Sequence, residues 1–131
     1  MKIHKGGCLC GEISYEVAGQ LRDVVACHCH QCRKTSGHYV AATSCETQNL
    51  KIVGEPTWFT SSLKARRGFC GTCGSNLFWQ PGNRKRTSIF AGTLDSDSGI
   101  KMASQIHIET KGSYYDLPDV PIGKQEPIEE D

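Results

Sequence analysis

Seven of the eight cysteines in this 131-residue chain fall into three short groups, and this grouping limits what the chain can fold into. The groups are Cys8/Cys10, Cys27/Cys29/Cys32 and Cys70/Cys73. A disulfide across a single intervening residue is strained, because its two Cα atoms should lie about 5.5–6 Å apart. Metal ligation requires only that sulfur atoms converge on one ion, so the spacing favours metal sites over the four disulfides of a secreted scaffold.

Two of the groups are short knuckles that lie about 60 residues apart, Cys8-Leu9-Cys10 and Cys70-Gly71-Thr72-Cys73. Paired knuckles of this kind commonly build a closed four-cysteine zinc site. Glycines flank both knuckles, and glycine admits the tight backbone conformations that a knuckle needs. We therefore predict a structural zinc ion that is held by Cys8, Cys10, Cys70 and Cys73.

The central group, Cys27-His28-Cys29-His30-Gln31-Cys32, places three thiols within six residues and reserves no fourth cysteine for them. Three protein ligands with an open position are typical of catalytic zinc. His28 and His30 each adjoin a cysteine, so we expect both side chains to point away from the ion. The alternative is a second structural site that is completed by Cys45 or by a histidine. Cys45 is more simply interpreted as a buried free thiol.

The ligand set of the central group favours thiol chemistry. Three thiolates leave a zinc ion with a net charge of about −1, which lowers the pKa of bound water less than three imidazoles do. A soft ligand set favours another soft donor, such as a substrate thiolate, in the open position. Arg33 and Lys34 follow the group directly and are candidates to hold an anionic thiol, or are ordinary solvated charges. His30 and His38 are candidate proton shuttles, or are structural or merely exposed.

Short alternating segments indicate an all-β, antiparallel fold in which Glu12–Val17 is a half-exposed strand. Further strands are predicted at Val24–His28, Tyr39–Ser44, Leu50–Val53, Thr57–Ser61, Arg67–Cys70, Asn76–Gln80, Thr87–Thr93 and Gln105–Thr110. The triplet Gly54-Glu55-Pro56 predicts a hairpin between two of them. Only His30–Ser36 has the pattern of a short helix.

Composition excludes several classes of protein. A formal net charge of +1 and a pI of about 7.6 give no electrostatic case for nucleic acid. The two short basic runs are interpreted as solvated loops, Lys64/Arg66/Arg67 and Arg84/Lys85/Arg86. No apolar run approaches the ~18–20 residues that span a bilayer, so no membrane partner is expected. The N-terminus lacks the apolar stretch of a secretory signal, which predicts a cytoplasmic location.

The last residues differ in character from the rest of the chain. From Asp116 onward prolines alternate with acidic residues, which predicts an extended, solvated tail. We accordingly predict one zinc-binding domain over residues 3–118 and an acidic, proline-containing tail over residues 119–131.

Four motifs resemble, in order and spacing, the glutathione-dependent formaldehyde-activating enzyme family, which also includes centromere protein V. They are GGCLCGEISYE (Gly6–Glu16), CHCHQCRKTSGHY (Cys27–Tyr39), FCGTCGSNLFW (Phe69–Trp79) and FAGTLD (Phe90–Asp95). The resemblance runs from Ile3 to Pro118 and implies an all-β, Mss4-like zinc fold of the β-tent type. It also implies a structural zinc on the outer knuckles and a catalytic zinc on Cys27, Cys29 and Cys32, which makes two zinc ions per chain.

The family's founding activity implies a zinc-dependent carbon–sulfur lyase that joins formaldehyde to the thiol of glutathione. We therefore expect an enzyme that acts on the adduct of a glutathione-type thiol with a small carbonyl compound. The alternative is a non-enzymatic zinc-binding interaction module of the centromere protein V type. The sequence leaves the oligomeric state open.

Overall fold

The structure, a computed structural model, describes residues 2–95 and 98–124 and is built mainly of β-strands. A single α-helix, α1 (His30–Ser36), interrupts the strands of this described part. The strands are β1 (Ile3–Gly7), β2 (Ser14–Ala18), β3 (Val24–Cys27), β4 (Val40–Glu46), β5 (Leu50–Val53), β6 (Thr57–Ser62), β7 (Ala65–Phe69), β8 (Asn76–Pro81), β9 (Arg86–Phe90) and β10 (Met102–Ile106). The described part contains no helix long and apolar enough to cross a membrane.

The strands form two sheets, one of three strands in the order β1-β2-β5 and one of seven in the order β10-β3-β4-β9-β8-β7-β6. Neighbouring strands run antiparallel, except that β10 runs parallel to β3. The predicted all-β, Mss4-like class is confirmed, and the predicted helix has the bounds that the sequence indicated.

The predicted hairpin around Gly54-Glu55-Pro56 is wrong. Strand β5 pairs with β2 in the small sheet, whereas β6 pairs with β7 in the large one, so this turn carries the chain from one sheet to the other. Gly54 has φ 95°, and a Cβ at this position would lie 2.4 Å from the Glu12 carbonyl oxygen. The turn signal was correct, but it did not specify which strands would pair.

The predicted strands Thr87–Thr93 and Gln105–Thr110 both end earlier than the alternation indicated. Strand β9 stops at Phe90, and residues Ala91–Thr93 form a 3-10 turn. Strand β10 stops at Ile106, because His107 takes a left-handed conformation (φ 56°) and leads into another 3-10 turn. Strand β1 was not predicted, since its sequence Ile3–Gly7 carries few apolar residues.

The main hydrophobic core lies between the two sheets, with Tyr15 of β2 packed edge-on against Phe78 of β8 at a centroid distance of 5.4 Å. Its buried residues come from both sheets and from one knuckle: Ile13, Tyr15, Val17, Cys45, Cys70, Leu77, Phe78 and Ile89. Cys45 is 2% exposed and unpaired, as predicted for a buried free thiol. Cys70 links this core to the Cys70–Cys73 knuckle.

The first part of the predicted tail is held to β10 by hydrogen bonds. The Gln105 N–H donates to the Pro121 carbonyl, and the Gly123 N–H donates to the Gln105 carbonyl. The Gln105 side-chain amide donates to the carbonyls of Pro118 (3.0 Å) and Val120 (2.9 Å). Residues 125–131 of the predicted tail lie outside the described residues, and the domain boundary at residue 118 stays a prediction.

Candidate metal centres and the adjoining groove

The outer knuckles bring four sulfur atoms together, as predicted. The sulfurs of Cys8, Cys10, Cys70 and Cys73 all lie within 4.8 Å of one another. Cys10 Sγ is 3.6 Å from Cys8 Sγ and 3.7 Å from Cys70 Sγ. Four thiolates at the usual 2.3 Å from a tetrahedral zinc ion lie about 3.8 Å apart, so this cluster fits the ion.

Backbone and side-chain donors support the thiolate forms in this cluster. The Ile13 N–H donates to Cys8 Sγ (3.3 Å), and the Cys73 N–H donates to Cys70 Sγ (3.5 Å). Hydrogen bonds from the side chain and backbone of Ser75 lower the pKa of the Cys73 thiol to about 5. A metal ligand must be deprotonated, so these donors prepare the cluster for a cation.

The central group also converges, with the sulfurs of Cys27, Cys29 and Cys32 within 4.8 Å of one another. The local structure explains why. Cys27 ends β3, Cys29 is the N-cap of α1, and Cys32 lies in the first turn of that helix, with its N–H 3.4 Å from Cys29 Sγ. Hydrogen bonds from the other two thiols hold the pKa of Cys29 far below its usual range. Three sulfurs in this arrangement can hold a metal ion.

No fourth histidine, cysteine or carboxylate joins these three among residues 2–95 and 98–124. Cys45 lies in the main core with Cys70, so it does not complete the central group. His30 is exposed at the start of α1. The fourth position is therefore without a protein ligand in the described part of the chain.

His28 points away from the cysteines, as expected, into a buried hydrogen-bond network. Its Nε2 is 3.0 Å from Gln105 Oε1, and its Nδ1 is 2.7 Å from the Tyr115 hydroxyl. The side-chain amide nitrogen of Gln105 donates to two carbonyls, so the amide oxygen accepts the hydrogen bond from His28 Nε2–H. Tyr115 then donates to Nδ1, and the imidazole is neutral. Burial also lowers the pKa of His28, which favours the same neutral form.

Arg67 is a site residue that sequence reasoning missed, and its interpretation as a solvated loop charge is wrong. It lies in β7, is 7% exposed, and places Nη2 3.4 Å from Gln31 Oε1 and 3.8 Å from Cys32 Sγ. A usable signal existed. Successive strand residues face opposite sides of a sheet, so Arg66 and Arg67 cannot both point outward.

The other predicted polar residues occupy different surroundings. Arg33 is half-buried, and its Nε has no hydrogen-bond partner among the described residues. Lys34 is exposed. His38 is exposed as well, with Nδ1 2.6 Å from the Tyr114 hydroxyl and its ring 4.3 Å from that of Tyr39. The roles predicted for these residues and for His30 stay predictions.

A groove of about 410 Å³ lies beside the central group, where α1 faces strands β6 to β8. Besides the contacts of Arg67, two hydrogen bonds join the helix to the strands, from Gln31 Nε2 to the Ser61 carbonyl (3.3 Å) and from Asn76 Nδ2 to the Thr35 carbonyl (3.0 Å). Arg67 supplies the charge in the lining. The remaining lining residues are aromatic or neutral polar: Thr35, Thr57, Trp58, Phe59, Phe69 and Asn76.

Comparison with known proteins agrees with this geometry. The model of the family described as glutathione-dependent formaldehyde-activating enzyme matches residues 3–110, which include both cysteine clusters. An uncharacterized lyase from Schizosaccharomyces pombe is 30% identical over 123 residues, which cover 89% of this chain and 87% of that protein. A crystal structure of a Rhodobacter sphaeroides protein matches with a TM-score of 0.56 and 25% identity, covering 72% of this chain and 90% of that one.

Proposed function

Because the chain belongs to the glutathione-dependent formaldehyde-activating enzyme family, we propose that it is a zinc-dependent carbon–sulfur lyase. Its substrate in this proposal is the adduct of a glutathione-type thiol with a small carbonyl compound such as formaldehyde. The observation that carries the proposal is the central group: three converging cysteines, without a fourth protein ligand in the described residues, beside a buried arginine.

Cys27, Cys29 and Cys32 would hold the catalytic zinc ion, and the four outer cysteines a structural one. An ion on three thiolates supplies a soft Lewis acid that favours the thiolate form of a bound thiol at neutral pH. The donor set fits, because the sulfurs within each of the two clusters lie within 4.8 Å of one another. A cytoplasmic location belongs to the proposal, since a reducing compartment keeps these thiols free.

The protein side chains contribute charge and orientation. The Arg67 guanidinium beside Cys32 offsets the negative charge of three thiolates, and Gln31 orients that guanidinium through its amide oxygen. The neutral His28 ring, locked by Tyr115 and Gln105, fixes the backbone between Cys27 and Cys29. Together these contacts hold the cysteines in place before a substrate arrives, which is the contribution that positioning makes to catalysis.

The reaction needs no oxidant or reductant. In the direction of synthesis, the substrate sulfur forms a bond to the carbonyl carbon while the carbon–oxygen π bond opens. The proton lost by the thiol ends on the new hydroxyl group. Cleavage runs the same steps in reverse. His30 and His38 are the imidazoles of the proposal that would carry this proton, and Arg33 with Lys34 would attract an anionic thiol.

The decisive test measures exchange between formaldehyde and its glutathione adduct by magnetization-transfer NMR. Zinc-loaded protein should accelerate this exchange above the spontaneous rate, and the Cys32→Ser variant should not. The control is Cys45→Ser, which changes a cysteine outside both clusters. Equal rates with and without the wild-type protein would refute the enzyme and leave the centromere protein V type of interaction module as the better interpretation.

A further inference from the structure

The charges of this chain are distributed unevenly over the fold. Residues 56–94, which include strands β6 to β9, contain six lysines and arginines and no acidic residue, although the whole chain has a formal net charge of +1. The formal charge is therefore +6 in this segment and −5 in the rest of the chain. An asymmetry of this kind is typical of proteins that bind nucleic acid or an anionic membrane surface.

The structure brings the two basic runs of this segment together at one end of the seven-stranded sheet. The turn between β6 and β7 lies beside the turn between β8 and β9, since a Cβ on Gly82 would be 3.3 Å from the Lys64 carbonyl oxygen. The side chains of Lys64, Arg84 and Lys85 are exposed there. Burial and the nearby charge of Arg84 lower the pKa of the Arg66 guanidinium. The two runs thus form one cluster of like charges and are not separate solvated loops.

Three cations of this cluster form no ion pair in the described part of the chain: Arg84, Lys85 and Arg86. Glu46 lies opposite Arg86 in the pairing of β4 with β9, but the Arg86 guanidinium donates to the Ser44 hydroxyl (2.8 Å). Like charges that are held close together repel one another, and a negatively charged partner relieves this repulsion. The cluster is therefore complementary to an anionic surface.

An exposed leucine within the cluster selects the class of partner. Leu63 precedes Lys64 in the β6–β7 turn and is 82% exposed, so almost its whole side chain meets water. An apolar side chain that is surrounded by cations matches the boundary between the anionic headgroups and the acyl chains of a lipid bilayer. We propose that this basic end of the sheet, made of Leu63, Lys64, Arg84, Lys85 and Arg86, binds the surface of an anionic membrane.

Nucleic acid is the other polyanion that basic surfaces bind, and it fits this end less well. Proteins that bind single strands stack the bases on free aromatic faces. The basic end contains no aromatic side chain. The neighbouring Trp58 ring already lies under the Arg66 guanidinium (3.8 Å) and is stacked on Phe78 at a centroid distance of 6.2 Å. The exposed ring of Phe59 lines the groove beside the central group instead.

The basic end and the central cysteines lie at opposite ends of strand β4. Arg86 pairs with the last residue of β4, Glu46, whereas Cys27 pairs with its first residue, Val40. A molecule that is bound through the basic end would therefore keep its central cysteines away from the bilayer and open to small molecules. Such a contact requires no membrane-spanning segment, so the hydropathy of the chain does not bear on it.

Co-sedimentation of the zinc-loaded full-length chain with sucrose-loaded vesicles tests the proposal. We expect binding to phosphatidylcholine vesicles that contain about 30% phosphatidylserine, little binding to phosphatidylcholine alone, and release at high salt. Each basic residue near an anionic surface strengthens binding about fivefold, so Arg84→Gln/Lys85→Gln should weaken it by about tenfold or more. The matched control, Lys5→Gln/Lys51→Gln, removes the same charge from two exposed lysines of the small sheet and should bind as the wild type does.

Leu63→Ser tests the apolar contact and should weaken binding to the anionic vesicles by about threefold or more. Leu9→Ser is its control, because Leu9 is 89% exposed but contacts Ser75, which lies at the other end of β8. Equal binding to both vesicle compositions, or equal losses in a variant and its control, would overturn the proposal. Absence of vesicle binding would overturn it too, and binding of a labelled single-stranded oligonucleotide would then assign the basic end to nucleic acid.

Discussion

The Arg67 guanidinium nitrogen Nη2 lies 3.8 Å from Cys32 Sγ, although 35 residues separate them in the chain. Gln31, which precedes Cys32, accepts a hydrogen bond from the same nitrogen and donates one to the Ser61 carbonyl of β6. Helix α1, which contains Cys32 and is capped by Cys29, is thus joined to strands β7 and β6 at the edge of the seven-stranded sheet through Arg67 and the Ser61 carbonyl. Arg67 therefore takes part both in positioning the central cysteines and in compensating their charge.

Replacing cysteines of the two clusters should separate their roles. Cys70→Ser removes a predicted ligand that is also part of the main core, and binding energy at a structural zinc is folding energy. We expect this variant to aggregate or to lose several kcal/mol of stability, on the order of the loss of a native cross-link. Cys32→Ser should stay folded and lose only the second ion. Calorimetric melting together with zinc content checks both, and similar melting temperatures for the two variants would contradict the division of roles.

Carefully prepared protein should contain two zinc ions per chain. Two separate cysteine clusters motivate this number, and the four-cysteine cluster should hold its ion more tightly because it completes the coordination shell. Elemental analysis before and after mild chelation should therefore give about two ions and then about one. A maximum of one ion after zinc has been supplied in excess would show that one cluster does not bind.

Cys45 should behave as an inert thiol that binds no metal. Burial raises the pKa of its thiol to about 11, so at pH 8 only roughly one molecule in a thousand carries the reactive thiolate. Iodoacetamide followed by peptide mass spectrometry should leave Cys45 unmodified in native protein and modify it in guanidinium chloride. The Cys45→Ala variant should keep both zinc ions. Loss of one ion in that variant would revive the alternative in which Cys45 completes the central site.

A close approach between strand β1 and the core predicts a stability difference between two glycines. A Cβ on Gly6 would lie 2.3 Å from the Tyr15 hydroxyl oxygen and 2.5 Å from the Thr93 carbonyl oxygen. Gly6→Ala should therefore cost about 1–3 kcal/mol, as overpacked core substitutions do. Gly92→Ala is the control, because nothing lies within 4 Å of its added Cβ, and its effect should stay within about 0.5 kcal/mol. Equal denaturation midpoints would contradict this packing.

The cysteine spacing was sufficient to predict which sulfurs meet, because both clusters are built from tight local turns. Knuckles such as Cys70-Gly71-Thr72-Cys73 leave the backbone few alternatives, and the N-cap position of Cys29 follows from the short helix that starts at His30. Which distant strands pair with each other was harder to predict from the sequence. The Gly54 turn joins two sheets rather than two strands of one hairpin, since the partner of β5 is decided by packing against β2.

Arg67 shows why the rest of the site escaped prediction. Strand alternation indicated that Arg66 and Arg67 face opposite sides of the sheet, but which of the two is buried depends on where β7 lies in the sheet and on α1 crossing that face. The aromatic groove has the same origin, because Trp58, Phe59 and Phe69 come from two strands and line a common space only after β6 pairs with β7. Local motifs predicted the ligands, whereas tertiary structure determines what surrounds them.

Cobalt substitution provides the sharpest prediction about the open position of the central cluster. Three thiolates form a soft, anionic set, so the position should accept a thiol in preference to a hard oxygen donor. Titration of the cobalt protein with glutathione should add intensity to the sulfur-to-metal charge-transfer band, and S-methylglutathione should not. The Cys32→Ser variant, which lacks one ligand of this cluster, is the control for signal from the four-cysteine site.

The same titration tests the predicted role of the basic pair that follows Cys32. Arg33 is half-buried and Lys34 is exposed. Both charges can act on an anion near the start of α1, although Arg33 contributes more to the fold than Lys34 does. Changing both to Ala should weaken glutathione binding by a few-fold, because a charge near the surface such as that of Lys34 contributes about 0.2–1 kcal/mol. The deficit should shrink at high salt, where exposed charges are screened. A response to glutathione that is identical in the wild type and in this double variant would assign the recognition of the anionic thiol to other residues, and Arg67 would be the first of them to examine.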